Sequence, residues 1–118
     1  MRKIIHVDNS EFFRKLMKSF LEKEGFVAEG FESAQDAIMV ICGGAIDMVI
    51  MGLTFTDIAG EEFFKKIRQS YEGPVIVVSS SVDWENEKKL LALGAKAALN
   101  KSGPWQEGLK PHLAALKG

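Results

Sequence analysis

Ile46-Asp47-Met48-Val49-Ile50-Met51-Gly52 is the stretch that decides the fold. Apart from Asp47 it is apolar up to the glycine, with no alternation of apolar and polar residues. A strand of that kind is covered on both faces, as in a parallel sheet with helices on each side. The run Ile46–Met51 is therefore read as a central strand, and Gly52 stands at its carboxyl end.

Working outward, short apolar runs alternate with segments of helical period, the pattern of βαβ units. The first strand is read at Lys3–Val7. A helix follows, capped by Asn9 or Ser10, with Phe12, Phe13, Leu16, Met17, Phe20 and Leu21 on one face and Gly25 at its end. The second strand, Phe26–Phe31, contains Glu29 and Gly30 and reads as a less buried edge strand. Ser33 opens the next helix with Asp36 at capping-box spacing, Ala34, Ala37, Ile38 and Ile41 inward, and Gly43-Gly44 as a stop.

Beyond the central strand, a loop from Gly52 to Gly60 leads to a helix that buries Phe63, Phe64 and Ile67. Gly73-Pro74 precede a β-branched strand, Val75–Val78. A helix over Asp83–Leu93 ends at Gly94, and a short strand is read at Ala97–Leu99. Pro104 suits the first position of the last helix. That helix carries Leu109, Leu113 and Leu116, and Pro111 predicts a kink or a late start.

A chain of 118 residues fits one domain, 1–118, and buries a core without staples. Its formal charge of −1 gives no general attraction to nucleic acid or anionic membrane. The lone cysteine, Cys42, excludes an internal disulfide and is expected to be a small core residue. The start lacks a signal-type apolar region, and no apolar run reaches membrane-spanning length, so a cytoplasmic protein is expected.

In open parallel sheets, function collects at the carboxyl ends of the strands. Those ends carry Asp8-Asn9, Gly52, Ser79 and Asn100-Lys101. They bring together one acid, one hydroxyl, one amine and amide groups. Taken in order, five pieces carry a resemblance. They are Lys3-Ile4-Ile5-His6-Val7-Asp8-Asn9-Ser10, Asp47-Met48-Val49-Ile50-Met51-Gly52, Asp57-Ile58-Ala59-Gly60, Pro74-Val75-Ile76-Val77-Val78-Ser79-Ser80, and Gly94-Ala95 followed by Leu99-Asn100-Lys101. Over essentially its whole length the chain resembles the response-regulator receiver domain of two-component signalling. The resemblance implies a flavodoxin-like, doubly wound five-stranded parallel sheet in the order 2-1-3-4-5. It also implies a Mg²⁺-assisted phosphorylation site and an output face formed by the fourth helix, fifth strand and fifth helix.

The departures from that family shape the functional expectation. Its phosphoacceptor aspartate falls at Gly52, its second acid at Asn9, its switch aromatic at Ala98, and the proline after its lysine at Ser102. Gly52 has no oxygen nucleophile, so no acyl phosphate can form there. Of the three carboxylates the resemblance would supply, Asp8 alone remains, so Mg²⁺ binding is expected to be weak or lost and no cofactor is expected. Asp8, Asn9, Ser79 and Lys101 are read as a remnant polar network, with Asp8 pairing Lys101 and Ser79 serving its loop or Lys101.

The resulting expectation is a pseudo-receiver without enzyme activity, signalling by protein contact. Trp84 and Trp105, at the starts of the last two helices, are candidate anchors on the output face, or else cover helix ends. Rival readings place phosphorylation at Asp57, Thr54 or Thr56, or take Gly52 as an introduced replacement for aspartate. Asn9 and Ala98 count against the latter. A nucleotide or FMN binder on the same fold is disfavoured because Asp8-Asn9-Ser10-Glu11 is acidic and glycine-free. His6, in an apolar strand, is expected to be buried and hydrogen-bonded. His112 has no visible partner.

Overall fold

The strand read from Ile46 sits, in a computed structural model describing residues 2–117, near the middle of a five-stranded sheet. The strands are β1 (Lys3–Val7), β2 (Val27–Phe31), β3 (Met48–Met51), β4 (Val75–Ser79) and β5 (Ala97–Asn100). They run parallel in the order β2-β1-β3-β4-β5. Between and after them lie α1 (Glu11–Lys23), α2 (Ala34–Gly43), α3 (Gly60–Arg68), α4 (Trp84–Leu93) and α5 (Trp105–Lys117). No helix among the described residues is long and apolar enough to cross a membrane.

Parallel strands need crossovers, and the helices divide between the two faces of the sheet. Ile5, Val7, Val49, Met51, Val75 and Val77 pack against α2, α3 and α4. Their neighbours in sequence, Ile4, Met48, Ile50, Ile76 and Val78, pack against α1 and α5. Every residue of β3 and β4 is buried, as an apolar strand without alternation requires. Because β1 lies between β2 and β3, strand order reverses there, and the carboxyl ends of β1 and β3 open a crevice.

Local chemistry sets the ends. Ser10 caps α1 by accepting from the Phe13 N–H. Asp83 and Asn86 form a reciprocal capping box on α4. Gly94 ends α4 at φ 115°, where an L side chain would be strained. β3 begins at Met48 rather than Ile46. Asp47 is spent on β1, its carboxylate accepting from the Lys3 N–H at 2.8 Å.

Four further expectations change. α5 begins directly at Trp105 and runs through Pro111, which lies on the exposed side. Pro111 has no N–H to donate to the Glu107 carbonyl one turn earlier. Pro104 stands just before the helix instead of inside it. Cys42 is exposed, on the outer side of α2, and its sulfur accepts from Ser70 Oγ. His6 is buried as expected, but neither ring nitrogen has a hydrogen-bond partner among the described residues; it packs edge-on against Phe13.

That histidine makes stability pH-dependent. Burial holds its pKa down at about 4, from an ordinary 6.5. Between those values the unfolded chain binds the extra proton. The stability contributed by neutral His6 is therefore full above about pH 6.5 and is lost as pH falls toward 4. Denaturant unfolding at pH 7 and pH 5 should show a loss of about 2 kcal/mol attributable to this residue. His6→Leu should remove that part of the pH dependence.

Candidate functional site

Asp8 leaves β1 at the crevice and is 1% exposed. Its carboxylate is held from two sides. The Ser10 N–H donates to Oδ1 at 2.8 Å. Lys101, just past β5, brings Nζ to 2.9 Å from Oδ2 and 3.2 Å from Oδ1. Oδ2 has no other partner among the described residues. The Lys101 ammonium also lies 4.3 Å from the centre of the Phe13 ring, a cation–π placement that completes its coordination on the apolar side.

Gly52 faces this pair across the crevice. It is buried, and its N–H donates to the Val7 carbonyl at 2.9 Å, tying β3 to β1. A Cβ built on Gly52 would lie 3.1 Å from Asp8 Oδ2, so the carboxylate occupies space beside a missing side chain. The small pocket here, about 50 Å³, is lined by Asp8, Asn9, Gly52, Thr54, Ser79 and Lys101, among others, and Asp8 supplies its one carboxylate.

Ser79 is buried at the end of β4, but it does not reach the ammonium. Its hydroxyl pairs with Ser81 Oγ at 3.0 Å and accepts from the Ser81 N–H, while its carbonyl accepts from the Lys101 N–H. It shapes the loop and positions Lys101 through the backbone. Asn9 lies at the rim and is exposed.

Asp57, a rival acceptor, does something else. Its carboxylate accepts from Ser33 Oγ and from the Ala34 and Gln35 N–H groups at the start of α2. These bonds, the Gln35 N–H foremost, hold its pKa below the usual value. Asp57 thus caps a helix from a distant loop. Thr54 remains exposed on the pocket lining. Gly60 is required by close approach, because a Cβ there would meet the Leu53 carbonyl oxygen at 2.6 Å.

One supporting residue, Arg14, escaped the sequence reading, and another, Asn100, was read only as a strand-end amide. Arg14 of α1 donates to the Asp8 carbonyl at 2.7 Å, and its stem crosses β2 where Gly30 leaves room, 3.4 Å from a Cβ there. Gly30 in an edge strand was the available signal. Asn100 donates to the Val82 carbonyl at 2.8 Å and accepts from the Ser102 N–H at 2.7 Å. It straps the β4–α4 loop to β5. No local pattern marks such long-range roles.

Of the two tryptophans, Trp84 is 69% exposed. Trp105 is 4% exposed and packs edge-on against Phe13 and Phe20, which removes it as a surface anchor. It covers the start of α5 against the core. Ala98 is buried on β5.

The strand order and the aspartate–lysine pair at its switch point define the class, a doubly wound α/β domain of receiver type. The response regulator receiver domain model matches residues 4–110, and the chain belongs to that family, whose members act in two-component signalling. It is 30% identical to the regulatory protein VanRc of Enterococcus gallinarum over 79% of its own length and 40% of that protein. It is 28% identical to the chemotaxis protein CheY of Halobacterium salinarum, covering 90% of this chain and 88% of that one. The chain thus spans less than half of VanRc but most of CheY. Among solved structures, the activated receiver domain of Klebsiella pneumoniae RstA superposes with a TM-score of 0.89 at 20% identity, covering 99% and 100% of the two chains. Vibrio cholerae CheY4 gives 0.84 at 24%, covering 98% of each.

The buried pair predicts an asymmetric mutational response. Lys101→Met should cost about 3 kcal/mol at neutral pH, because it strands the Asp8 carboxylate. Asp8→Asn combined with Lys101→Met should recover much of that loss. Chemical denaturation of the three variants checks both.

Proposed function

We propose that this receiver domain works as a pseudo-receiver, passing signals by protein contact without phosphorylation at the usual position. The observation that carries the reading is Gly52 facing an Asp8 carboxylate already neutralised by Lys101 at 2.9 Å. Phosphoryl transfer needs a nucleophilic oxygen in line with the donor and cations to neutralise the developing charge. Gly52 presents no oxygen on a side chain. The donor set also fits Mg²⁺ poorly, since this ion wants carboxylates and water in an octahedron. One carboxylate is present, and an ammonium already sits on it.

On this reading the domain needs no cofactor and catalyses no reaction of its own. Its remaining polar groups hold loops in a fixed arrangement, and a cytoplasmic protein partner reads the surface they support. Ala98 agrees with it, because a methyl group on β5 cannot swing between two positions as a ring can.

A second reading has one observation in its favour: Thr54 is exposed and lines the same pocket. Phosphorylation there would leave an ester stable in base-free solution. Asp57 is less suited, since its oxygens already serve three donors at the start of α2.

Incubation with acetyl phosphate and Mg²⁺, followed by intact-mass measurement, separates these readings. The wild-type mass should stay unchanged. A base-labile gain of one phosphoryl group would contradict the proposal, and a phosphopeptide containing Thr54 would establish the second reading. Gly52→Asp should gain measurable phosphorylation. Its Cβ needs only a shift of a few tenths of an ångström from Asp8, and the new carboxylate would compete for Lys101.

A further inference from the structure

α2 is apolar on more sides than the fold needs. Its inward stripe, Ala34, Ala37 and Ile41, is buried in the core between the sheet and α3. The opposite stripe, Gln35, Met39 and Cys42, is exposed. A helix face turned only to water ordinarily carries charge. Here no charged residue stands between Asp36 and Asp47. Met39 is 76% exposed, and Cys42, Gly43, Gly44 and Ala45 continue the uncharged surface. A Cβ built on Gly43 would meet nothing within 4 Å, so this end of the helix faces open space.

Beside Met39 lies a groove of about 340 Å³, lined by Gln35, Asp36, Ile38 and Met39 of α2 and by Lys66 of α3. It carries one acid and one base. Asp36 stands in the first turn of α2 and has no ion-pair partner among the described residues. Lys66 stands in the last turn of α3, and its pair with Glu62 is long, at 3.9 Å, and half in solvent. Such a pair holds the lysine weakly. α2 and α3 run in the same direction, because each carries the chain back between parallel strands on one face of the sheet. The acid therefore lies toward one end of the groove and the base toward the other.

We propose that a second copy of this chain covers this face, through a two-fold contact in which each Met39 enters the groove of the other copy. Knob and groove sit side by side on one face, as a self-complementary contact requires. A two-fold axis crossing α2 near Met39 sets the two α2 helices antiparallel. It brings Asp36 of each copy toward Lys66 of the other and makes two equivalent ion pairs around an uncharged centre. Methionine suits the knob, because its unbranched, flexible side chain fills an irregular gap. A strongly charged partner finds no matching field here, since the two charges of the groove cancel, whereas a second copy matches them in sign and place. The contact is small and belongs to the weak class of interfaces. It shares no lining residue with the crevice pocket at Asp8, and it stands whether or not that crevice takes a phosphoryl group.

Sedimentation velocity of the full chain, without phosphoryl donor, from about 10 µM to about 1 mM tests this. The average mass should rise from monomer toward dimer across that range. Met39→Glu, at an exposed position that leaves the core intact, should hold the chain monomeric. Asp36→Lys and Lys66→Glu should each weaken association several-fold, and the two together should recover most of it, because the exchanged charges pair again across the axis. Met39→Cys in a Cys42→Ser background should give a disulfide-linked dimer on mild oxidation with copper phenanthroline. Leu91→Cys in the same background, at an exposed position on α4, should not. A monomer at every concentration would overturn the proposal. Association that survives Met39→Glu would place the contact on another face and overturn it as well. Charge exchange that recovers nothing would overturn the two-fold pairing of Asp36 with Lys66.

Discussion

The ion pair between Asp8 and Lys101 organises the crevice. It joins the end of β1 to the end of β5 across the sheet, with the Asp8 side chain almost wholly out of water and the Lys101 side chain 22% exposed. A buried carboxylate without a partner is costly, and so is a half-buried ammonium facing an aromatic ring. Each makes the other tolerable. Arg14 fixes the Asp8 backbone, and the Ser79 carbonyl fixes the Lys101 backbone, so both partners are positioned before their charges meet. The glycine just past β3 leaves the carboxylate free to take this partner alone.

From that pairing the rest of our reading follows. In a site with several carboxylates, a lysine and a metal share the negative charge. Here one negative charge meets one positive charge and the account closes. Such a pair stabilises one arrangement of the loops after β1, β4 and β5. Asn100, Ser79 and Ser81 reinforce the same arrangement through short-range bonds. Under the proposed pseudo-receiver reading, such a domain offers a constant surface, and regulation falls to whether the partner is present.

Much of the fold was legible because parallel strands announce themselves. The apolar runs within 46–51 and 75–78 read as buried strands, and glycines marked the helix ends. The pairing of Asp8 with Lys101 was also legible, since strand ends in this topology converge. What was hidden depended on contacts far apart in sequence. Asp57 reads as an ordinary loop acid, yet it caps α2. Trp105 and Trp84 occupy equivalent places in the sequence, yet one turns onto Phe13 and Phe20 and the other into solvent. Cys42 lies on a helix whose inward face is taken by Ala34, Ala37 and Ile41, and so points out. His6 sits on the face that meets α1 and α5, edge-on to Phe13, where neither ring nitrogen finds a hydrogen-bond partner among the described residues.

The central claim is that the crevice is closed by the Asp8–Lys101 pair and cannot hold a phosphoryl group. Its most direct test is an amide NMR spectrum recorded with Mg²⁺ and beryllium fluoride, which mimics an acyl phosphate on an aspartate. The account predicts an unchanged wild-type spectrum, and shifts around residues 8, 52, 79 and 101 in Gly52→Asp. Saturable shifts at those positions in the wild type would contradict it.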